Sequence, residues 1–155
     1  MLEFDDRGLL TPGIHDATVE EVSEHLGRFQ RTDRRMKLVQ RILEALKELV
    51  SGGDALYVLL DGSFVMTSID TPEDIDIVVV LPADWDLGVE LKPFRYNPIS
   101  KSWVKRTFRF DVVVAKSGSE KEATGIDFFG QVNPKWIEAF SWPTELRKGL
   151  VRVML

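Results

Sequence analysis

Three short apolar runs, rich in β-branched and aromatic residues, constrain the fold of this 155-residue chain more than any other feature. They cover residues 55–60, 74–81 and 107–115. Runs of this length and composition predict buried strands. The second run is apolar on both faces after its first residues, so we expect a central strand that is covered on both sides. Residues 149–155 are a candidate for a fourth strand.

Two amphipathic segments precede these strands. Residues 18–21 have the form of a capping box, which predicts a short helix over 18–26. Residues 33–50 place apolar side chains in a helical stripe, with Thr32 as candidate N-cap and Gly52 beyond the end. This second segment is the strongest helix prediction in the chain.

The order of the elements predicts the fold class. A short helix is expected at 134–140, where proline opens the segment. Helices and short strands in this order predict an α+β domain with a small mixed β-sheet flanked by helices. No repeat or linker composition divides the chain, so we expect a single domain over residues 1–155 with its core at about 33–116.

The composition excludes several classes of function. There is no cysteine, which excludes disulfides and cysteine-based metal sites. The net charge of −5 disfavours sequence-independent coating of nucleic acid, so no bulk DNA binding is expected. The N-terminus is acidic, and no apolar stretch approaches the roughly 18–20 residues of a membrane span. These features predict a cytoplasmic protein that does not enter a membrane.

Charge is segregated along the chain. Residues 28–48 hold seven basic and three acidic side chains, and residues 54–90 hold nine acidic and none that is basic. Residues 92–116 again hold seven bases, opposed only by Asp111. Solvated faces that neutralise one another are one interpretation of this pattern. The other is an acidic site between basic surfaces.

Three acidic residues lie in the predicted strands. Asp74 and Asp76 are two residues apart, so their side chains leave the same face with Cβ atoms about 6–7 Å apart. At an effective dielectric constant of about 20, two such charges repel by roughly 2.5 kcal/mol. Asp111 is a further charge in a strand that we expect to be buried. The three carboxylates therefore require positive charge nearby.

A divalent cation is the simplest source of that charge. Mg²⁺ is typically held by one or two carboxylates and completed by substrate phosphates and water. The alternatives are a solvated strand start or ion pairs within the protein. Arg109 has the same strand parity as Asp111 and could neutralise it, and Lys105 or Arg106 could do so from nearby.

The position of the acids along the strand separates the candidate chemistries. In phosphatases with an Asp-x-Asp nucleophile and in Asp-x-Asp glycosyltransferases, the acids usually follow the apolar run. Asp74 and Asp76 precede it, which counts against both classes. Walker A and dinucleotide-binding glycine patterns are absent from the sequence, so ATPase and Rossmann interpretations lack support.

A glycine-serine turn follows the first apolar run. Gly62 permits a tight turn in which backbone N–H groups and the Ser63 hydroxyl face an anion, although many Gly-Ser pairs are ordinary turns. Ten residues separate Ser63 from Asp74. An apolar strand, Gly-Ser, this spacing and Asp-x-Asp entering another apolar strand resemble the nucleotidyltransferase superfamily typified by polymerase β. Asp111 matches the third carboxylate of that superfamily.

The two ends of the chain extend the resemblance. They are similar to a small group of single-domain bacterial members that begin with Leu-x-Pro-Gly-Ile-His and finish with Lys-Gly, an aliphatic residue and Val-Arg. The matching segments here are 10–15 and 148–152, with Asp127-Phe128-Phe129 between them. The likeness then covers almost the whole chain and implies a minimal nucleotidyltransferase fold.

The resemblance implies a two-metal reaction. Two Mg²⁺ or Mn²⁺ ions would bridge the carboxylates and a nucleoside triphosphate, an acceptor hydroxyl would attack the α-phosphorus, and pyrophosphate would leave. By this likeness Asp74 and Asp76 hold both metals, and Asp111 binds the metal at the acceptor or takes its proton. Gly62 and Ser63 contact the β- and γ-phosphates.

The sequence departs from the superfamily in one respect. Better-studied small members often carry a basic residue soon after Gly-Ser, whereas residues 64–73 contain none. The triphosphate would need cations from elsewhere. The candidates are basic residues of the later segments, where a solvated surface charge is the competing interpretation: Lys101, Lys105, Arg106, Lys148 and Arg152.

Two functions from different classes remain open. The first is a metal-dependent nucleotidyltransferase whose acceptor is a protein, an RNA end or a small molecule. The second is a nucleotidyltransferase-like binding module with a protein partner, such as the antitoxin half of a toxin–antitoxin pair. All three acids are intact, which favours the enzyme. Tryptophans could stack a nucleobase but more often pack in a core: Trp85, Trp103, Trp136 and Trp142.

Overall fold

Five strands form one mixed sheet in the computed structural model, which describes residues 2–28, 32–73, 75–86, 88 and 90–155. The strands are β1 (Gly13–Asp16), β2 (Tyr57–Asp61), β3 (Asp76–Leu81), β4 (Asp111–Lys116) and β5 (Gly149–Met154). Their order across the sheet is β1-β5-β2-β3-β4. The pairs β1–β5 and β3–β4 are parallel, whereas β2 runs antiparallel to both of its neighbours.

Helices cover both faces of the sheet. The α-helices of the described residues are α1 (Val19–Leu26), α2 (Arg34–Gly52), α3 (Pro93–Tyr96), α4 (Lys101–Phe108), α5 (Glu120–Phe129) and α6 (Pro134–Phe140). The predicted α+β class with a small mixed sheet is therefore confirmed. Within these ranges, no helix combines the length and apolar character needed to cross a bilayer.

The main core lies between α2 and one face of the sheet. The helical stripe of α2 packs Leu38 and Ile42 into the same buried cluster as Val58 and Ile77 of the sheet. The opposite face is smaller, and there Leu59 and Val78 pack with residues of α5. As its continuous apolar run predicts, β3 is covered on both faces, and β5 extends the core beyond residue 116.

The helix boundaries are partly as predicted. The hydroxyl of Thr18 accepts a hydrogen bond from the Glu21 backbone N–H at 3.1 Å, which confirms the N-cap of α1. The predicted Thr32 cap of α2 is wrong, because Asp33 occupies that position. Gly52 belongs to the helix, and Gly53 ends it with a φ of 75°. A left-handed residue at this point is a common way to end a helix.

The predicted strand at 107–115 is wrong over its first residues. The chain is still helical up to Phe108, Arg109 then adopts a φ of 65°, and β4 begins only at Asp111. Phe108 packs edge-to-face on Trp103 with ring centroids 5.6 Å apart. Buried aromatic residues lie on both sides of the helix end, at Phe108 and Phe110, so the sequence pattern conceals the boundary. Arg109 is consequently not a strand neighbour of Asp111.

The two end motifs lie on paired strands. Residues 13–16 form β1, which the sequence analysis missed, and they pair in register with residues 149–152 of β5. Gly149 has no room for a side chain, because a Cβ there would overlap the Thr11 carbonyl oxygen and the ring of His15. The glycine of the second motif is thus required by the close approach of the two segments, whereas Gly13 of the first motif has open space around it and a φ of 119°.

Candidate active site

Three carboxylates lie side by side at one end of the sheet. Asp61 ends β2, and its register partner is Asp76, the first residue of β3. Asp76 is also the register partner of Asp111, the first residue of β4. Because register partners project from the same face, all three side chains lie on the face that α5 covers. Like charges placed opposite each other repel, so this row needs compensation.

Asp74, the fourth acid of this region, lies outside the described residues. Its predicted pairing with Asp76 therefore stays a prediction. Among the residues that are described, no group of three or more acidic or histidine side chains is arranged to hold a metal ion. The carboxylates of Asp61, Asp76 and Asp111 lie in a row across three neighbouring strands, and Asp61 and Asp111 each contact a lysine.

The predicted glycine-serine turn follows β2. Gly62 has a φ of 88°, a conformation that side chains rarely adopt, and this accounts for glycine at the position. Ser63 is buried and begins a single helical turn over Ser63–Val65. The turn therefore follows the carboxylate row directly, as the sequence pattern predicts.

A buried arginine holds the segment after this turn. The guanidinium of Arg35, in the first turn of α2, donates hydrogen bonds to backbone carbonyls at 2.6–3.1 Å. The four acceptors belong to Leu26, Phe64, Met66 and Ile69. Burial lowers the pKa of Arg35 to about 10, so it stays charged near neutral pH. The longest helix is thereby tied to the loop beside the carboxylates.

Asp61 forms a buried ion pair with Lys148. Both side chains are almost fully enclosed, and the Lys148 ammonium donates to Asp61 Oδ1 and also to the Phe129 carbonyl oxygen at 2.6 Å. Burial raises the pKa of Asp61 to about 7, although Lys148 and the Gly62 N–H favour its charged form. The charge of Asp76 raises the pKa further.

Asp111 has a different environment from the one predicted. Its side chain is 55% exposed, because it lies at the start of a strand rather than within one. The Lys105 ammonium lies 3.1 Å from Asp111 Oδ1. An exposed pair of this kind contributes about 0–1 kcal/mol. Neutralisation by Lys105 is thus present, but it leaves the carboxylate accessible to a competing cation.

A cavity of about 190 Å³ adjoins the row. Its polar lining comes from the end of the sheet: Asp61, Gly62, Ser63, Asp76 and Lys148. Apolar and aromatic residues from the end of α5 and from α6 also line it, among them Phe128, Phe129 and Trp136. The cavity therefore joins the polar end of the sheet to an aromatic wall.

Comparison with known proteins gives one family. A family of unknown function, DUF6932, matches residues 2–154. The chain belongs to this family. No curated protein and no solved structure shows a significant match. The family description names no activity, so the function has to follow from the chemistry of the site.

The structure separates the predicted cationic residues of this DUF6932 chain. Lys105 contacts Asp111, and Arg106 is exposed on α4, where its Nε donates to the Ser102 carbonyl oxygen at 3.4 Å. Neither lines the 190 Å³ cavity. Arg152 contacts Asp16 through two hydrogen bonds of 2.5 and 2.9 Å. Of the five candidates, Lys148 is the one at the cavity.

The sequence analysis missed Asp61 as a site residue. The available signal was an acid at the last position of a buried strand, directly before Gly62. A charged residue at the end of an otherwise apolar run is costly without a partner. The partner, Lys148, is 87 residues away in sequence, so the pair becomes recognisable only when β5 is placed beside β2.

The buried pair predicts a pH-dependent stability. An acid with a higher pKa in the folded than in the unfolded state binds more protons when folded, so its ionisation lowers the free energy of unfolding. For Asp61 the pKa is about 7 in the folded protein, against an ordinary value of 3.8 in the unfolded chain. Relative to the Asp61→Asn/Lys148→Met double variant, we expect wild type to lose stability from about pH 4 to about pH 7 and to change little above it. Urea unfolding at pH 5, 6, 7 and 8 measures this difference. A relative stability that rises with pH would contradict the assignment.

Proposed function

We propose that this protein is a metal-dependent nucleotidyltransferase, which moves a nucleoside monophosphate from a nucleoside triphosphate to an acceptor hydroxyl. The observation that carries the proposal is the register of Asp76 beside Asp111, with the Gly62–Ser63 turn at the neighbouring strand end. The resemblance in sequence requires these elements to meet, although they are spread over the 50 residues from Gly62 to Asp111.

The donor set fits a hard divalent cation. Mg²⁺ needs only one or two carboxylates from a protein, with phosphate and water oxygens completing its shell. Asp76 and Asp111 would provide two, and Asp74 would add a third. When bound there, Mg²⁺ or Mn²⁺ would neutralise negative charge on the triphosphate and polarise its phosphorus–oxygen bonds.

The remaining roles fall to the chain itself. The acceptor hydroxyl forms a bond to the α-phosphorus, the bond between that phosphorus and the α–β bridging oxygen breaks, and pyrophosphate leaves. The hydroxyl proton passes to the Asp111 carboxylate, which is exposed and can release it to water. Gly62 and Ser63 hold the β- and γ-phosphates from the opposite side of the row. Most of this catalysis is positioning.

Lys148 is the cation that the proposal assigns to the phosphates. It lines the cavity together with Gly62 and Ser63, whereas Lys105 and Arg106 lie on α4. An ammonium has three N–H donors, and the described contacts of Lys148 use two, to Asp61 and the Phe129 carbonyl. A further donor at this position would compensate for the absence of a basic residue over 64–73.

The proposed enzyme acts in the cytoplasm, where nucleoside triphosphates and Mg²⁺ are abundant. The acceptor hydroxyl belongs to a protein, an RNA end or a small molecule. Bulk DNA is not proposed as an acceptor, because the net charge is −5.

A labelling experiment tests the reaction type. Wild type is incubated with a cell lysate, Mg²⁺ and ATP carrying label at either the α- or the γ-phosphate, and GTP, CTP and UTP are tested in the same way. We expect α-label to appear on protein, RNA or a small molecule, and to be lost with EDTA. Transfer of γ-label instead would indicate phosphoryl transfer. No transfer from any of the four would contradict the enzyme and favour the binding module.

A further inference from the structure

We infer that the aromatic wall of the cavity binds the base of the nucleoside triphosphate. This inference rests on the proposed function, which places the phosphates at Gly62 and Ser63. The same cavity is also lined by Phe128 and Trp136. With phosphates at Gly62 and Ser63, a ligand that also reaches these two rings combines a polyanionic part with a flat apolar part, which is the chemistry of a nucleotide.

Phe128 is the most exposed of the three aromatic side chains that line the cavity. It is 62% exposed at the end of α5, whereas its neighbour Phe129 packs against the buried cluster of Leu59 and Val78. The two rings meet edge-to-face, with centroids 5.3 Å apart and an interplanar angle of 77°. Phe129 thus supports the Phe128 ring at the mouth of the cavity. A large exposed aromatic beside a cavity is typical of a ligand-binding surface.

Trp136 is held in place by its neighbours, and the Lys135 ammonium lies 4.7 Å from the centroid of its ring. Its ring stacks on Phe140 with centroids 6.1 Å apart, and Phe140 stacks on Trp142 at 4.6 Å. Trp136 also packs against a small buried cluster that includes Met66 and Val132. A ring fixed in this way loses little further freedom when a base stacks on it, and base–aromatic stacking tolerates any of the four bases.

Two carboxamides belong to the lining of the same cavity. Gln131 and Asn133 both line the cavity. The Asn133 Oδ1 accepts a hydrogen bond from the Lys135 backbone N–H at 3.0 Å, which directs its amide nitrogen away from the start of α6. These groups could supply polar contacts that orient a base beside the aromatic side chains.

Binding titrations with Mg²⁺ test the inference. The probes are ATP, GTP, CTP, UTP and inorganic tripolyphosphate. We expect at least one nucleotide to bind about tenfold or more tightly than tripolyphosphate. Phe128→Ala should weaken that nucleotide about tenfold and leave tripolyphosphate unchanged. Trp136→Ala should act in the same direction. Phe128→Ala is the primary variant, because an exposed ring can be removed without disturbing the core.

The matched control is Phe94→Ala, which removes a ring that is 54% exposed on α3 and does not line the cavity. This control should change neither the affinity for the nucleotide nor the affinity for tripolyphosphate. The inference is overturned if all five probes bind alike, or if Phe128→Ala leaves every nucleotide affinity unchanged. In either case, Mg²⁺-dependent tripolyphosphate binding that Asp76→Asn abolishes would still support the proposed function. Binding of none of the probes would overturn both.

Discussion

Replacing Arg35 with methionine is expected to lower the free energy of unfolding by about 4 kcal/mol or more. The variant removes the guanidinium from four backbone carbonyls, of which that of Met66 still accepts a hydrogen bond from the Ile69 N–H at 3.1 Å. Each buried polar group left unpaired costs about 1–3 kcal/mol. The free energy of unfolding of a single domain is about 5–15 kcal/mol, so the substitution would remove a large part of it. Urea unfolding followed by circular dichroism measures the change.

Arg41→Met is the matched control for this prediction. Arg41 lies on the same helix but is only partly buried. Its replacement should change stability by less than about 0.5 kcal/mol. If Arg35→Met proved as mild as this control, the guanidinium would not be what holds the 64–69 segment beside the carboxylate row.

Asp76→Asn and Asp111→Asn should each lower the rate of α-label transfer by about a thousandfold or more. That loss corresponds to roughly 4 kcal/mol of transition-state stabilisation. Each variant removes one negative oxygen donor while keeping the size of the side chain. Both residues begin strands at the sheet end, so we expect folding to be retained. Initial rates at saturating Mg²⁺ and nucleotide provide the measurement.

Asp84→Asn serves as the control, since Asp84 is an exposed acid just after β3 and does not line the cavity. It should transfer label at the wild-type rate. Equal loss in this control would point to net charge rather than to the site. Full activity in Asp76→Asn would remove Asp76 from the metal site and leave the mechanism without its central carboxylate.

The fold was predictable where local pattern and tertiary packing agree. The apolar runs of β2 and β3 are buried on both faces, and the stripe of α2 meets the sheet as amphipathicity predicts. The apolar pattern of the sequence did not reveal where β4 begins. Phe108 and Phe110 are both buried, yet one ends a helix and the other precedes a strand. Only the left-handed Arg109 between them marks the change.

The site was predictable only in part for a related reason. The resemblance to the nucleotidyltransferase superfamily predicted Asp76, Asp111, Gly62 and Ser63, and the sheet places all four at one end. The Asp61–Lys148 pair depends instead on β5 lying beside β2, a contact between distant segments. Lys105 and Arg106 were predicted as triphosphate-binding residues from their charge alone. A pattern of charges along the chain does not reveal where α4 lies relative to the cavity, and neither residue lines it.

The central claim is that Asp76 and Asp111 hold a divalent ion together with a nucleoside triphosphate. Electron paramagnetic resonance of Mn²⁺ tests it directly, because the signal of free Mn²⁺ falls as the ion becomes bound. With non-hydrolysable ATP, wild type should deplete the free Mn²⁺ signal beyond the depletion caused by the nucleotide alone. The Asp76→Asn/Asp111→Asn variant should not. Equal depletion by the two proteins would contradict the account.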